Sequence, residues 1–130
     1  MQQYIGTKII QAEPAQKDWK DGYKVVYPDG YESWSPKDTF EEAYRATTAM
    51  TFGLAVEAMR KGMRVARAGW NGKGMWVTLV SRVEWASSND VDAVMNMLVP
   101  FLVMKATDGS TVPWLASLTD VLAEDWSIVE

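Results

Sequence analysis

Two of the three Asp-Gly dipeptides restrict this chain more than any other feature. Asp29-Gly30, preceded by Pro28, separates Gly22–Tyr27 from Tyr31–Trp34, and Asp108-Gly109 separates Phe101–Lys105 from Thr111–Leu115. Each sits between apolar, β-prone runs, and Asp-Gly supplies the backbone conformations that a tight reversal needs. The spacing therefore predicts two antiparallel hairpins. The β-branched stretch Tyr4–Ala12 reads as a further strand, and Pro14–Lys20 as a polar loop. Arg64–Arg67, Met75–Val83 and Trp126–Val129 read as strands as well.

Helix signals fall between the strands. Ser35 reads as a cap, with Pro36 at the first helical position and Asp38 where a capping-box acid would stand. Phe40, Ala43 and Tyr44 then share a face. Thr51 caps a helix running to about Lys61, with Phe52, Ala55, Val56 and Met59 as its apolar stripe and Gly62 as its terminator. Val91–Leu98 reads as helical, and Ser117-Leu118-Thr119-Asp120 opens a last short helix to about Asp125. The fold class expected is α+β: an antiparallel sheet with a few short α-helices. The domain boundary falls near Ala46 to Met50, dividing a small hairpin-and-helix module (1–48) from a larger domain (50–130).

With 130 residues, 48% of them hydrophobic, the chain can bury a core. Its net charge of −4 opposes non-specific DNA or RNA binding. No apolar run is long enough to span a bilayer, and Met1–Gln11 lacks the layout of a secretory signal, so a cytosolic protein is expected. Cysteine and histidine are both missing. That removes thiolate chemistry, the commonest general base and the commonest metal ligand, so neither a cofactor nor a metal site is expected and an enzyme is disfavoured.

One segment departs from the acidic background. Ala58–Val83 has no carboxylate but carries Arg60, Lys61, Arg64, Arg67, Lys73 and Arg82. In its middle, Gly69, Gly72 and Gly74 surround Trp70 and Asn71. Glycines let backbone N–H groups approach a phosphate, cations bind its oxygens, and an indole offers a stacking plate. The same loop can equally be a turn with a solvated basic face, and composition alone does not separate the two. It is not a Walker A loop, because no Ser or Thr follows Lys73. The start of the last helix is a second candidate, with Ser117, Thr119 and Asp120 facing a ligand or simply capping the backbone. Trp76, Trp114 and Trp126 read as core or interface. Tyr23, Tyr27, Tyr31 and Trp34 form an aromatic hairpin suited to packing on the Phe40 helix.

Three blocks carry a family likeness: Met50–Ala55, Arg64–Met75, and Val112–Ser117 with Thr119–Trp126. Together they resemble the second family of Thoeris anti-defense proteins from phages, over Met50 to the C-terminus. The resemblance implies a non-enzymatic sponge acting in the host bacterial cytoplasm. Such proteins hold glycocyclic ADP-ribose, a signal made by a TIR-domain defence protein, and keep it from its effector. Some relatives also bind cyclic oligonucleotides. It further implies a homotetramer with pockets where subunits meet, Trp70 stacking on adenine, and Asn71 and Gly72 lining the pocket. Charge and position add Arg67 and Lys73 as phosphate contacts; the matching C-terminal block adds Ser117, Thr119 and Asp120. Residues 1–48 fall outside the likeness and look like another small phage module. Two rivals remain: an enzyme cleaving such a nucleotide with Asp120, Glu124 or Asp125, and a structural or host-interaction module.

Overall fold

The computed structural model describes residues 1–70, 73–81 and 99–130. The expected Val91–Leu98 helix, the Ser87–Asp90 loop, Arg82 and Val83 at the end of the second-domain hairpin strand, and Asn71 and Gly72 lie outside the described residues. The fold is α+β, with two antiparallel sheets and short helices, as the turn and cap signals require. The chain divides into two compact units, Met1–Arg45 and Ala46–Glu130.

In the first unit, β1 (Gln11–Pro14), β2 (Gly22–Val26) and β3 (Glu32–Pro36) form a sheet in that order, followed by α1 (Lys37–Ala43). The β2–β3 reversal uses Gly30 at φ +90, and the Asp29 carboxylate accepts the Tyr31 amide at 3.0 Å. Only glycine takes that φ without strain. Tyr23 stacks on Phe40 at 4.1 Å, and Phe40 on Tyr44 at 5.0 Å, so Tyr23 of the aromatic hairpin packs on the helix, whereas Tyr27 and Tyr31 stack on each other at 5.8 Å. Val25 is the buried centre.

Three expectations change here. The strand expected over Tyr4–Ala12 forms only at Gln11–Pro14, because β2 ends at Val26 opposite Gln11. Beyond Val26 the partner chain turns away, so earlier residues have no ladder to join, and Tyr4 and Ile5 stand exposed. The Pro14–Lys20 loop holds a tight reversal. Lys17 and Lys20 exchange both backbone hydrogen bonds at 3.0 Å around Asp18 and Trp19, both at positive φ. Ser35 does not cap α1: it stays in β3 opposite Tyr23, and Pro36 takes the cap position with no side-chain bond.

The second unit is a five-stranded antiparallel sheet ordered β7-β6-β5-β4-β8. Its strands are β4 (Arg64–Arg67), β5 (Trp76–Val80), β6 (Phe101–Lys105), β7 (Thr111–Pro113) and β8 (Trp126–Val129). Helix α2 (Phe52–Arg60) lays Ala55, Ala58 and Met59 against Val65, Val77 and Trp126, all buried. Thr51 caps it by accepting the Leu54 amide at 3.3 Å, and Gly62 follows at φ +89. Asp108-Gly109 closes the β6–β7 hairpin, the Ala106 amide donating to the Ser110 carbonyl at 2.8 Å. Strand β7 stops at Pro113, short of Leu115, with the Trp114 amide donating a last bond to the Leu102 carbonyl at 2.9 Å. The last helix, α3 (Leu118–Leu122), ends before Asp125.

The junction is stitched into this unit. Met50 and Trp126 exchange backbone hydrogen bonds of 2.8 and 3.1 Å, and the Ile128 amide donates to the Thr47 carbonyl at 2.9 Å. Residues 47–50 thus run along the outer edge of β8.

Candidate functional site

The glycine-flanked loop starts where β4 ends. The Trp70 amide donates to the Arg67 carbonyl at 3.0 Å, and the Trp70 carbonyl accepts the Lys73 amide at 2.9 Å and the Met75 amide at 3.3 Å. Gly69 and Gly74, at φ +87 and +70, let the chain fold tightly around Trp70. Lys73 is exposed.

The Trp70 indole is not a free plate. It is half-buried and meets Trp114 and Trp126 edge-on, with ring centroids 6.0 and 5.5 Å away. Phe52 completes the cluster, 5.4 Å from Trp126 and 6.4 Å from Trp114. Trp126 is fully buried and donates its indole N–H to the Asp120 carbonyl at 2.9 Å. Edge-to-face packing leaves an aromatic ring well fixed. Trp126 is therefore core, and Trp114 packs partly buried against it. Trp76 stands on β5 with the Arg64 guanidinium 5.0 Å over its ring.

Arg67, expected to meet a phosphate, is held by two carboxylates. Its Nε donates to Asp125 and its Nη1 to Asp120, each at 3.0 Å, and its side chain is only 24% exposed. Asp125 and then Asp120 raise its pKa, so it stays a cation. Asp120, expected to face a ligand or cap the backbone, is equally engaged. Its Oδ2 accepts the Ser117 amide and hydroxyl at 3.1 and 2.8 Å, while Ser117 Oγ accepts the Asp120 amide at 3.1 Å. This is a complete capping box. Burial pushes the Asp120 carboxyl up, but the Ser117 hydrogen bonds and Arg67 outweigh it and hold it below the usual carboxylate range. Thr119 lies exposed on the first turn of α3.

The structure thus brings Arg67, Trp70, Ser117 and Asp120 together, with Lys73 on the same loop. What the sequence does not reveal is Asp125 as the second partner of Arg67. The signal exists only once β4 and β8 are paired: Arg67 lies opposite Trp126, so the residue before Trp126 falls beside the guanidinium.

The Tad2-like family, described as Thoeris anti-defense 2-like domain, matches residues 50–129. The chain belongs to the Tad2-like family. The Thoeris anti-defense 2 protein of Bacillus phage SP01 is 41% identical over 86 residues, covering 63% of this chain and 97% of that relative. The Tad2-like match takes in the Trp70 loop, α3 and β8, so the whole network around Arg67 lies within it. It leaves the first unit outside.

Proposed function

We propose that the second unit sequesters a cyclic ADP-ribose-type signal, glycocyclic ADP-ribose, without cleaving it. In this reading it acts in the cytoplasm of the infected bacterium and blocks Thoeris effector activation. The observation that carries the reading is Trp70: within a Tad2-like domain, its part-exposed indole is fixed at a glycine-flanked turn beside the exposed cation Lys73. A pre-set aromatic face and a nearby cation suit a purine and a phosphate, and fixing them beforehand lowers the entropy cost of capture. Asn71 and Gly72 follow Trp70 in the sequence and are part of the proposed ligand-binding set.

Two further features support it. Asp120 and Asp125 are both ion-paired to Arg67, so neither is a free carboxylate for acid–base work on a ligand. Leu115, Leu118 and Leu122 are 92%, 74% and 70% exposed around α3. An apolar surface of this kind favours self-association, in keeping with a homotetramer whose pockets lie where subunits meet. No helix among the described residues is long and apolar enough to cross a membrane.

The test is to incubate the chain with glycocyclic ADP-ribose, remove unbound ligand, denature the protein by heat and chromatograph what is released. Intact ligand in stoichiometric amount is expected; cleaved products identify an enzyme, and an empty supernatant rejects capture. Light scattering after size exclusion reads the assembly in the same preparation.

A further inference from the structure

Arg67 binds two carboxylates, and its contacts close a ring. Its side chain binds Asp120. The Asp120 carbonyl accepts the Trp126 indole N–H. Trp126 meets Trp70 edge-on, and the Trp70 amide returns to the Arg67 carbonyl. A second arm from Nε ties Asp125, the residue just before β8. A cation held by two carboxylates at 3.0 Å has its charge already matched. An incoming phosphate would have to displace one of them and leave a part-buried carboxylate without its partner, which is unfavourable.

We infer that Arg67 is a positioning residue: it sets the Trp70 indole for the nucleotide through Asp120, Asp125 and Trp126, and does not itself bind the phosphates. The inference rests on the sequestration reading above and assigns the roles within it. Phosphate charge is then met elsewhere, with the exposed Lys73 on the Trp70 turn as the cation offered to it. Rigid links of this kind act because an aromatic plate a fraction of an ångström or a few degrees out of place stacks less well.

The two roles predict opposite signs for one substitution. If Arg67 touched phosphate, Asp125→Asn would remove a competitor and a negative charge, and binding would tighten. If Arg67 positions Trp70, Asp125→Asn loosens the ring and weakens binding, against the electrostatic trend. The experiment titrates glycocyclic ADP-ribose calorimetrically into full-length wild type, Asp125→Asn, Arg67→Lys and Arg67→Met. Each titration is run at two salt concentrations and well below the variant's Tm. Near-UV circular dichroism of the tryptophans is recorded alongside, and far-UV spectra establish that each variant is folded.

Expected is a loss of about 2- to 30-fold for Asp125→Asn and Arg67→Met, the range over which packed networks pass energy between neighbouring groups. The salt dependence should keep its wild-type slope, the near-UV signal should change, and Arg67→Lys should recover part of the affinity. Tighter binding by Asp125→Asn, or a shallower salt dependence in Arg67→Met, makes Arg67 a phosphate ligand and overturns the inference. Unchanged affinity in all folded variants reduces the ring to a purely structural clamp and also overturns it. No binding by the wild type rejects the sequestration reading itself, and the inference with it; the other outcomes leave that reading standing.

Discussion

Truncating Trp70 to alanine tests two claims at once, because one indole is asked both to pack and to stack. Its two edge-on contacts, with Trp114 at 6.0 Å and Trp126 at 5.5 Å, are each of a kind that contributes about 0.5–1.5 kcal/mol. Their loss should therefore cost about 2 kcal/mol. A fully buried tryptophan costs about 3–5 kcal/mol when cut to alanine, and Trp70 keeps part of its surface exposed, which puts its loss at or below the lower end of that range. For a domain of this size that is a fall in Tm of roughly 8–16 °C. A base stacked on the exposed face would lose a further ~1–3 kcal/mol of binding. Affinity for glycocyclic ADP-ribose should drop by about 5- to 150-fold. Thermal melts followed by circular dichroism measure the first quantity; calorimetric titration, well below the lowered Tm, measures the second. Trp70→Phe, which keeps an aromatic ring, should regain much of both. A variant that melts like wild type refutes the packing assigned to this ring. One that melts lower yet binds as tightly refutes its place in the pocket.

Other expectations follow from single contacts. Ser117→Ala removes one half of the capping box and should cost about 1 kcal/mol of stability, read as a shift in the urea midpoint. Asp120 has a depressed pKa in the folded chain, so its contribution is complete above the ordinary carboxylate range and is lost as pH falls through the folded value. Urea midpoints should drop on acidification below about pH 4, and Asp120→Asn should flatten that dependence; a wild-type profile with no acid limb attributable to this residue contradicts the network. Gly22→Ala would drive a Cβ into the Trp34 side chain and the Ser35 carbonyl. It should destabilise the first unit by about 1–3 kcal/mol, seen as faster amide exchange over β1–β3, and native-like exchange there would show that the packing yields easily.

Local chemistry was readable wherever a residue acts on its own neighbours. Asp29-Gly30 and Asp108-Gly109 turn where expected, because the reversal depends on backbone preferences of the dipeptide itself. Thr51 and Ser117 cap, because the bonds reach only three residues along the chain. Ser35 misled, since the same Ser-Pro pair also suits the last residues of a strand, and pairing with Tyr23 decided the matter. Tyr4–Ile10 misled in a related way: β-branched residues favour a strand only where another strand offers its edge. The Asp18-Trp19 reversal gave no signal, because neither residue is the glycine normally found at positive φ. At the candidate site the loop was legible as a cluster of glycine, cation and tryptophan. The ion pairs were not, because Arg67 and its partners are separated by more than fifty residues and meet only when β4 aligns with β8.

The backbone bonds from Thr47 and Met50 to β8 fix where this protein can be cut and rejoined. A splice between Arg45 and Ala46 leaves all of them intact, whereas one after Met50 strips this edge segment and bares amide and carbonyl groups of β8 to pairing with another molecule. Recombination that respects the earlier seam can exchange the front piece of the gene while the rear half folds as before.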